Sequence, residues 1–169
     1  VANYSEIEEA CLVAKKSQQG FALLHCVSAY PAKAEEMNLR TLSALSLAFG
    51  AQVGLSDHTL GSAVSVAAIS LGASIIEKHI TLRRDDGGPD AEFSLEPREF
   101  KKLVRECKFA YQALGDPVFD RIGLGGANKQ FRRSLYVVKD IKKGELFTTE
   151  NIRSIRPGLG LGPKHLTSI

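Results

Sequence analysis

Two histidines, His58 in "VGLSDHT" and His79 in "IIEKHIT", stand 21 residues apart, each just past a short apolar run. A helical crossover between parallel strands takes about that much chain, so the spacing places the two imidazoles at neighbouring strand ends. There they can share a divalent ion, and an ion with only two protein ligands keeps positions open for water or substrate. Such a centre acts as a Lewis acid or activates a water. Imidazole ligands alone also admit zinc, iron or cobalt. The alternative is a pair of hydrogen-bonded core or rim histidines.

Ser56, Asp57 and His58 form no hydrolytic triad, because adjacent residues on a strand end point in alternating directions. Asp57 is expected to orient the imidazole or to pin the turn. Further polar residues follow the strands: Ser28 and Tyr30 after the first, and Glu77-Lys78-His79 at the third. Ligands gather at the C-terminal ends of parallel strands, so all these sets are expected to converge on one face. Asp90, in the polar loop 83–94, can bind sugar hydroxyls or amides or orient a water; an ordinary solvated turn is the alternative. Arg156, held by Pro157 and Gly158, can present its guanidinium to an anionic or oxygen-rich ligand. His25, inside the first strand, reads as a hydrogen-bonded core residue, and His165 carries no signal. The "GLGG" at 123–126 follows no strand and lacks a Lys-Ser/Thr partner, so it is no phosphate loop.

The elements that position these residues alternate. A helix runs from Ser5 to Lys16, with Ser5 and Glu8 as a capping box, followed by a strand from Phe21 to Val27. A helix over 38–50, a strand over 51–56 and a helix over 60–72 follow, two of these elements closing on glycine. A strand over 73–82 and a long helix over 95–115, opened by Pro97, complete the series. This is the pattern of βα units on a parallel sheet. An eight-stranded barrel needs about 250 residues, so the chain is expected to be the C-terminal part of a longer α/β barrel protein, spanning 1–115. A Gly/Pro-rich, charged stretch over 116–133 reads as a linker. The β-rich run from Ser134 to Val138, with a Lys-Lys-Gly-Glu turn after it, reads as the start of a second small domain over 134–169.

Composition excludes other classes. With 44% hydrophobic and 24% charged residues the chain is globular, and no apolar run approaches the ~18 residues of a membrane span. The expected location is the cytoplasm. Cys11, Cys26 and Cys107 form no CxxC pair and read as small buried apolar residues. Residues 1–120 carry 12 Lys/Arg against 16 Asp/Glu, and 121–169 carry 10 against 3. That basic end suits an anionic ligand or a solvated face; sparse aromatics argue against nucleic acid.

Five segments taken together, "LLHCVSAYP", "VGLSDHTLG", "GASIIEKHITL", "GGPDAEFSLEP" and "RSLYVVKDIKKGELFTTENIRSIRPGLGL", resemble the sialic-acid synthase family, the bacterial nonulosonate synthases. Within that family "RRDDGGPDAEFSLEP" and "NIRSIRPG" look most like the pseudaminic acid synthases. The resemblance implies a TIM (β/α)8 barrel followed by a small antifreeze-like SAF domain, here truncated. It implies condensation of phosphoenolpyruvate with an amino-sugar aldehyde, a 2,4-diacetamido-2,4,6-trideoxy aldose, with N-acetylneuraminate or legionaminate synthesis as the alternatives. His58 and His79 match the family's metal ligands, for Mn²⁺ or Mg²⁺. Ser56 and Ser28 match residues around phosphoenolpyruvate, and Tyr30 and Asp90 match positions facing the acceptor. Arg156 matches a SAF-domain arginine that reaches the partner's barrel in family homodimers. With half a barrel absent, the chain alone is expected to be inactive; a non-catalytic sugar- or protein-binding module is the reading from another class.

Overall fold

The computed structural model describes residues 2–17, 19–118 and 128–169; the "GLGG" segment and the middle of the expected linker lie outside them. The chain divides into two compact units, Val1–Gly115 and Asp116–Ile169.

The first unit begins with α1 (Tyr4–Ala14). Its cap is Asn3 rather than the expected Ser5. The Asn3 side chain accepts the Glu6 N–H at 3.1 Å, and Glu6 Oε2 accepts the Asn3 N–H at 2.7 Å. Asn3 and Glu6 carry the same four-residue signature as Ser5 and Glu8, and Asn caps as well as Ser, so the earlier pair opens the helix. β1 (Ala22–Cys26), α2 (Thr41–Phe49), β2 (Gln52–Asp57), α3 (Ala63–Ser70), β3 (Ile75–Lys78) and α4 (Pro97–Leu114) follow in the expected order. Asn38, at φ 43°, keeps α2 from starting where the apolar period begins, and Gly50, at φ 63°, closes it.

The expected strand over 73–82 is paired only through Lys78. Beyond it the backbone turns to the start of α4: the Leu95 N–H donates to the His79 carbonyl and the Thr81 N–H to the Leu95 carbonyl, both at 3.0 Å. Those groups are therefore not available to a ladder with β2.

β1, β2 and β3 form a parallel sheet with β2 in the centre. Alternation along each strand sorts the residues into two faces. Leu23 and His25 of β1, Val53 and Leu55 of β2, and Ile76 of β3 face the helices, where Val53 and Leu55 join Met37, Leu42 and Ala68 in the core. The opposite face carries two rows across the sheet, Leu24-Gly54-Ile75 and Cys26-Ser56-Glu77. The first is too tight for any side chain at its centre. A Cβ on Gly54 would lie 2.5 Å from Leu24 Cδ2 and 2.6 Å from the Ile75 carbonyl oxygen.

Asp57 ends the helix-facing series of β2 with its side chain fully enclosed. Its Oδ1 accepts the Thr59 N–H at 2.8 Å and the Thr59 hydroxyl at 2.7 Å. Oδ2 accepts the Ser65 hydroxyl of α3 at 2.5 Å and pairs with Lys78 Nζ of β3 at 2.9 Å. Burial pushes the Asp57 carboxyl up, but the hydrogen bonds from Ser65, Lys78 and Thr59 outweigh it and hold the group below the ordinary aspartate range.

The second unit pairs β4 (Ser134–Val137) with β5 (Ile152–Ile155) antiparallel. Buried Asn151 organises the connection, its Oδ1 accepting the Thr148 N–H at 2.7 Å and its Nδ2 donating to the Leu146 carbonyl at 3.0 Å. The Tyr136 hydroxyl donates to the Pro157 carbonyl at 2.9 Å, tying the segment after β5 to β4. Among the described residues no helix is long and apolar enough to cross a membrane.

Two outcomes follow from the sheet. Gly54→Ala forces a backbone shift between β2 and β3 and should cost about 1–3 kcal/mol, read as a lower denaturant midpoint; an unchanged midpoint would contradict the close approach. Asp57 has a lowered native pKa, so its contribution to stability is fully present above the unfolded value of about 3.9 and is lost as pH falls through the native one. Melting temperature should therefore drop in that acid window, and Asp57→Asn should flatten this limb.

Candidate functional site

The two histidines lie where β2 and β3 end. His58 is 5% exposed. Its Nδ1 lies 2.9 Å from the Val27 carbonyl oxygen, which can only accept, so the ring proton sits on Nδ1 and the lone pair on Nε2. The carbonyl of His58 accepts the Ala32 N–H at 3.0 Å, so the segment after β1 holds both its backbone and its ring. On the other side His79 Nδ1 lies 3.4 Å from the half-exposed Asp90 Oδ2, close but without a hydrogen bond. Asp90 is itself fixed through its carbonyl, which accepts the Ser94 hydroxyl at 2.5 Å and the Ser94 N–H at 3.2 Å.

Arg84 anchors the rest of that loop. Its Nε donates to the Ser94 carbonyl at 3.1 Å, its backbone N–H donates to Glu96 Oε1 at 3.1 Å, and its guanidinium pairs with Glu99 at the start of α4. The turn expected around 83–94 is therefore tied at both ends to ordered structure.

The imidazoles of His58 and His79 lie edge to face, with ring centroids 5.2 Å apart and planes at 65°. Tyr30 covers His58 at 4.3 Å, and Phe93 lies 5.1 Å from His79 and 5.6 Å from Tyr30. Phe93 is buried whereas Tyr30 is 55% exposed, so the four-ring cluster is closed beneath and open at the tyrosine. Each Nδ1 faces a protein acceptor. This is how metal-ligating histidines are commonly oriented, with the second ring nitrogen left for the ion. The donor set thus suits a divalent ion held by two neutral imidazoles. Among the described residues no group of three or more His, Cys, Asp or Glu could hold one.

Of the residues singled out in the sequence, the structure brings His58, His79, Tyr30 and Asp90 together. Ser56 lies two residues before His58 on the face away from the helices, and Ser28 is exposed beyond β1. Cys26 connects them: its sulfur is 3.9 Å from Ser28 Oγ and 3.9 Å from His58 Nδ1. It is thus not the buried apolar residue expected, although Cys11 is. Cys107 is half-buried, its thiol pushed up by burial and by the charges of Glu106 and Asp57. The three strand-end sets do not converge whole. Asp57 and Lys78 turn to the helix side, because alternation sends the neighbours of a site residue to the other face. Asp57 therefore pins the turn and does not touch the imidazole. His25 is the core histidine expected, its Nε2–H donating to the Met37 carbonyl at 2.7 Å. Arg156 belongs to the second unit, exposed at the end of β5. Phe93 and Arg84 were not legible as site residues, though a lone aromatic in a polar, glycine-rich loop is a signal that Phe93 packs against something.

The NeuB family model matches residues 1–119, and the SAF domain model matches 132–169. A pseudaminic acid synthase of Campylobacter jejuni (strain 81-176) is 42% identical over 165 residues, covering 97% of this chain and 48% of that protein. An N,N'-diacetyllegionaminic acid synthase of Campylobacter jejuni (strain NCTC 11168) is 43% identical over 171 residues, covering 95% of this chain and 49% of its own. A crystal structure of N-acetylneuraminic acid (sialic acid) synthetase from Leptospira borgpetersenii, in complex with citrate, superposes with a TM-score of 0.70 at 37% identity over 78% of this chain and 46% of that one. The chain spans about half the length of the curated relatives it matches.

The Val27 bond makes a direct prediction for the imidazole. Long-range ¹H–¹⁵N spectra should show neutral His58 protonated at Nδ1; a proton on Nε2 would contradict the geometry.

Proposed function

Because the chain belongs to the NeuB family, we propose that it supplies the metal- and acceptor-binding side of a synthase that condenses phosphoenolpyruvate with a 2,4-diacetamido-2,4,6-trideoxy aldose. The products are pseudaminic acid and inorganic phosphate. In this reading the three-stranded sheet is part of a (β/α)8 barrel, and the second unit is its SAF domain. The observation that carries it is the His58–His79 pair, rings 5.2 Å apart, with His58 turned by the Val27 carbonyl so that its Nε2 is left for an ion and His79 Nδ1 facing Asp90.

His58 and His79 would hold Mn²⁺ or Mg²⁺, which would supply Lewis acidity toward the aldehyde oxygen of the acceptor. The Val27 carbonyl keeps the His58 ring aimed and Asp90 stands beside His79, so little reorganisation is needed when substrate arrives. Tyr30, open above His58, and Asp90 bind the acceptor sugar. Ser56 and Ser28 contact phosphoenolpyruvate, whose C3 forms the new bond to the aldehyde carbon. Water then adds at C2, and the C2–O bond to phosphate breaks. Arg156 reaches the barrel of a second subunit in a homodimer, contributing a guanidinium to an oxygen-rich ligand. The site of this chemistry is the cytoplasm, where phosphoenolpyruvate is made. A second reading, the same condensation with a legionaminate-type acceptor, is favoured by the 43% identity to the legionaminic acid synthase.

A chimera in which these 169 residues replace the matching half of the Campylobacter jejuni pseudaminic acid synthase tests the proposal. Phosphate release, assayed with each candidate aldose, should be highest with the 2,4-diacetamido-2,4,6-trideoxy sugar leading to pseudaminic acid. His58→Ala should remove Mn²⁺ binding and at least 100-fold of the turnover, on the order of one general catalytic contribution. A folded chimera whose turnover is indifferent to His58→Ala would overturn the reading, and preference for another aldose would move it to the second.

A further inference from the structure

We propose that Lys78 is a positioning residue that sets the separation of the two imidazoles. It directly precedes His79, yet its ammonium leaves the site face and closes on the residues either side of His58. Nζ lies 2.9 Å from Asp57 Oδ2 and 2.5 Å from the Thr59 carbonyl oxygen. Asp57 in turn binds the N–H and hydroxyl of Thr59. The residue before His79 and both neighbours of His58 thus form one closed ring of contacts.

The location of this ring gives it its role. Backbone pairing between β2 and β3 ends at Asp57 and Lys78, so no ladder bond beyond that pair holds His58 against His79. The Lys78–Thr59 contact extends the cross-strand tie one residue further, past His58. Stability alone does not account for the pair. Its side chains are 1% and 0% exposed, and a buried ion pair is commonly no more stabilising than apolar residues of the same volume. What an apolar pair cannot do is hold the Thr59 carbonyl at a fixed distance from β3.

The effect on a metal rests on the function proposed above, whereas the effect on the rings does not, and the test separates them. Lys78→Met alone strands the Asp57 carboxylate, so the variant of choice is Asp57→Leu/Lys78→Met in the full chain, which removes both charges together. Leu42→Ala, a core truncation on α2 outside the ring of contacts, serves as the control for general loosening. The double variant should lose the cross-peaks between the His58 and His79 imidazole protons and bind Mn²⁺ about 10-fold or more weakly, as when groups orienting a ligand are removed. Leu42→Ala should lower the melting temperature and keep both. A double variant that retains the imidazole cross-peaks overturns the proposal. If the unmodified chain binds no Mn²⁺ that His58→Ala abolishes, the metal reading fails, and the cross-peaks alone decide the positioning role.

Discussion

An aspartate carboxylate and a lysine ammonium leave water together only when their hydrogen-bonding capacity is met by the protein, and the residues around Asp57 meet that demand. Ser65 comes from α3, Lys78 from β3 and Thr59 from the turn itself, so one carboxylate joins a helix, two strands and the loop that follows. Among the described residues no buried side-chain nitrogen or oxygen lacks a partner. A half-satisfied network of this kind would cost more than an apolar core. Its completeness lets a polar site sit directly on a hydrophobic one.

From this constraint the two faces of the sheet acquire separate work. The side toward the helices carries Val53, Leu55 and finally Asp57, so packing gives way to electrostatics at the last residue of β2. The other side carries Ser56 and, just beyond, His58. Neighbours in sequence thus serve different ends: Asp57 and Lys78 fix the backbone, and His58 and His79 inherit that order. The Val27 carbonyl then needs only to turn the His58 ring. The site is assembled in two stages, with position set beneath the sheet and orientation set above it.

Much of this was legible in the residues. The 21-residue spacing of His58 and His79, read with the alternation of elements, is enough to bring the imidazoles to adjacent strand ends. Period and glycine stops located the elements of the first unit within a few residues. Three things were hidden, each for a physical reason. Two capping signatures overlap at the N-terminus, and local pattern does not choose between Asn3 and Ser5. The shortness of β3 depends on Leu95 capturing the carbonyl of His79, a contact between residues 16 apart that no local period records. Lys78 looked like a site residue because it adjoins one, although the alternation that separates Asp57 from His58 also separates Lys78 from His79.

The two rows on the face away from the helices give the sheet a graded polarity along its strands. Leu24 and Ile75 flank Gly54, and the next step upward brings Cys26, Ser56 and Glu77, with the histidines above them. From the histidine end downward, one polar layer is followed by a hydrocarbon one. The missing side chain at Gly54 lets Leu24 and the Ile75 backbone come close to β2, so polar character on this face begins one step up the strands, at Cys26, Ser56 and Glu77.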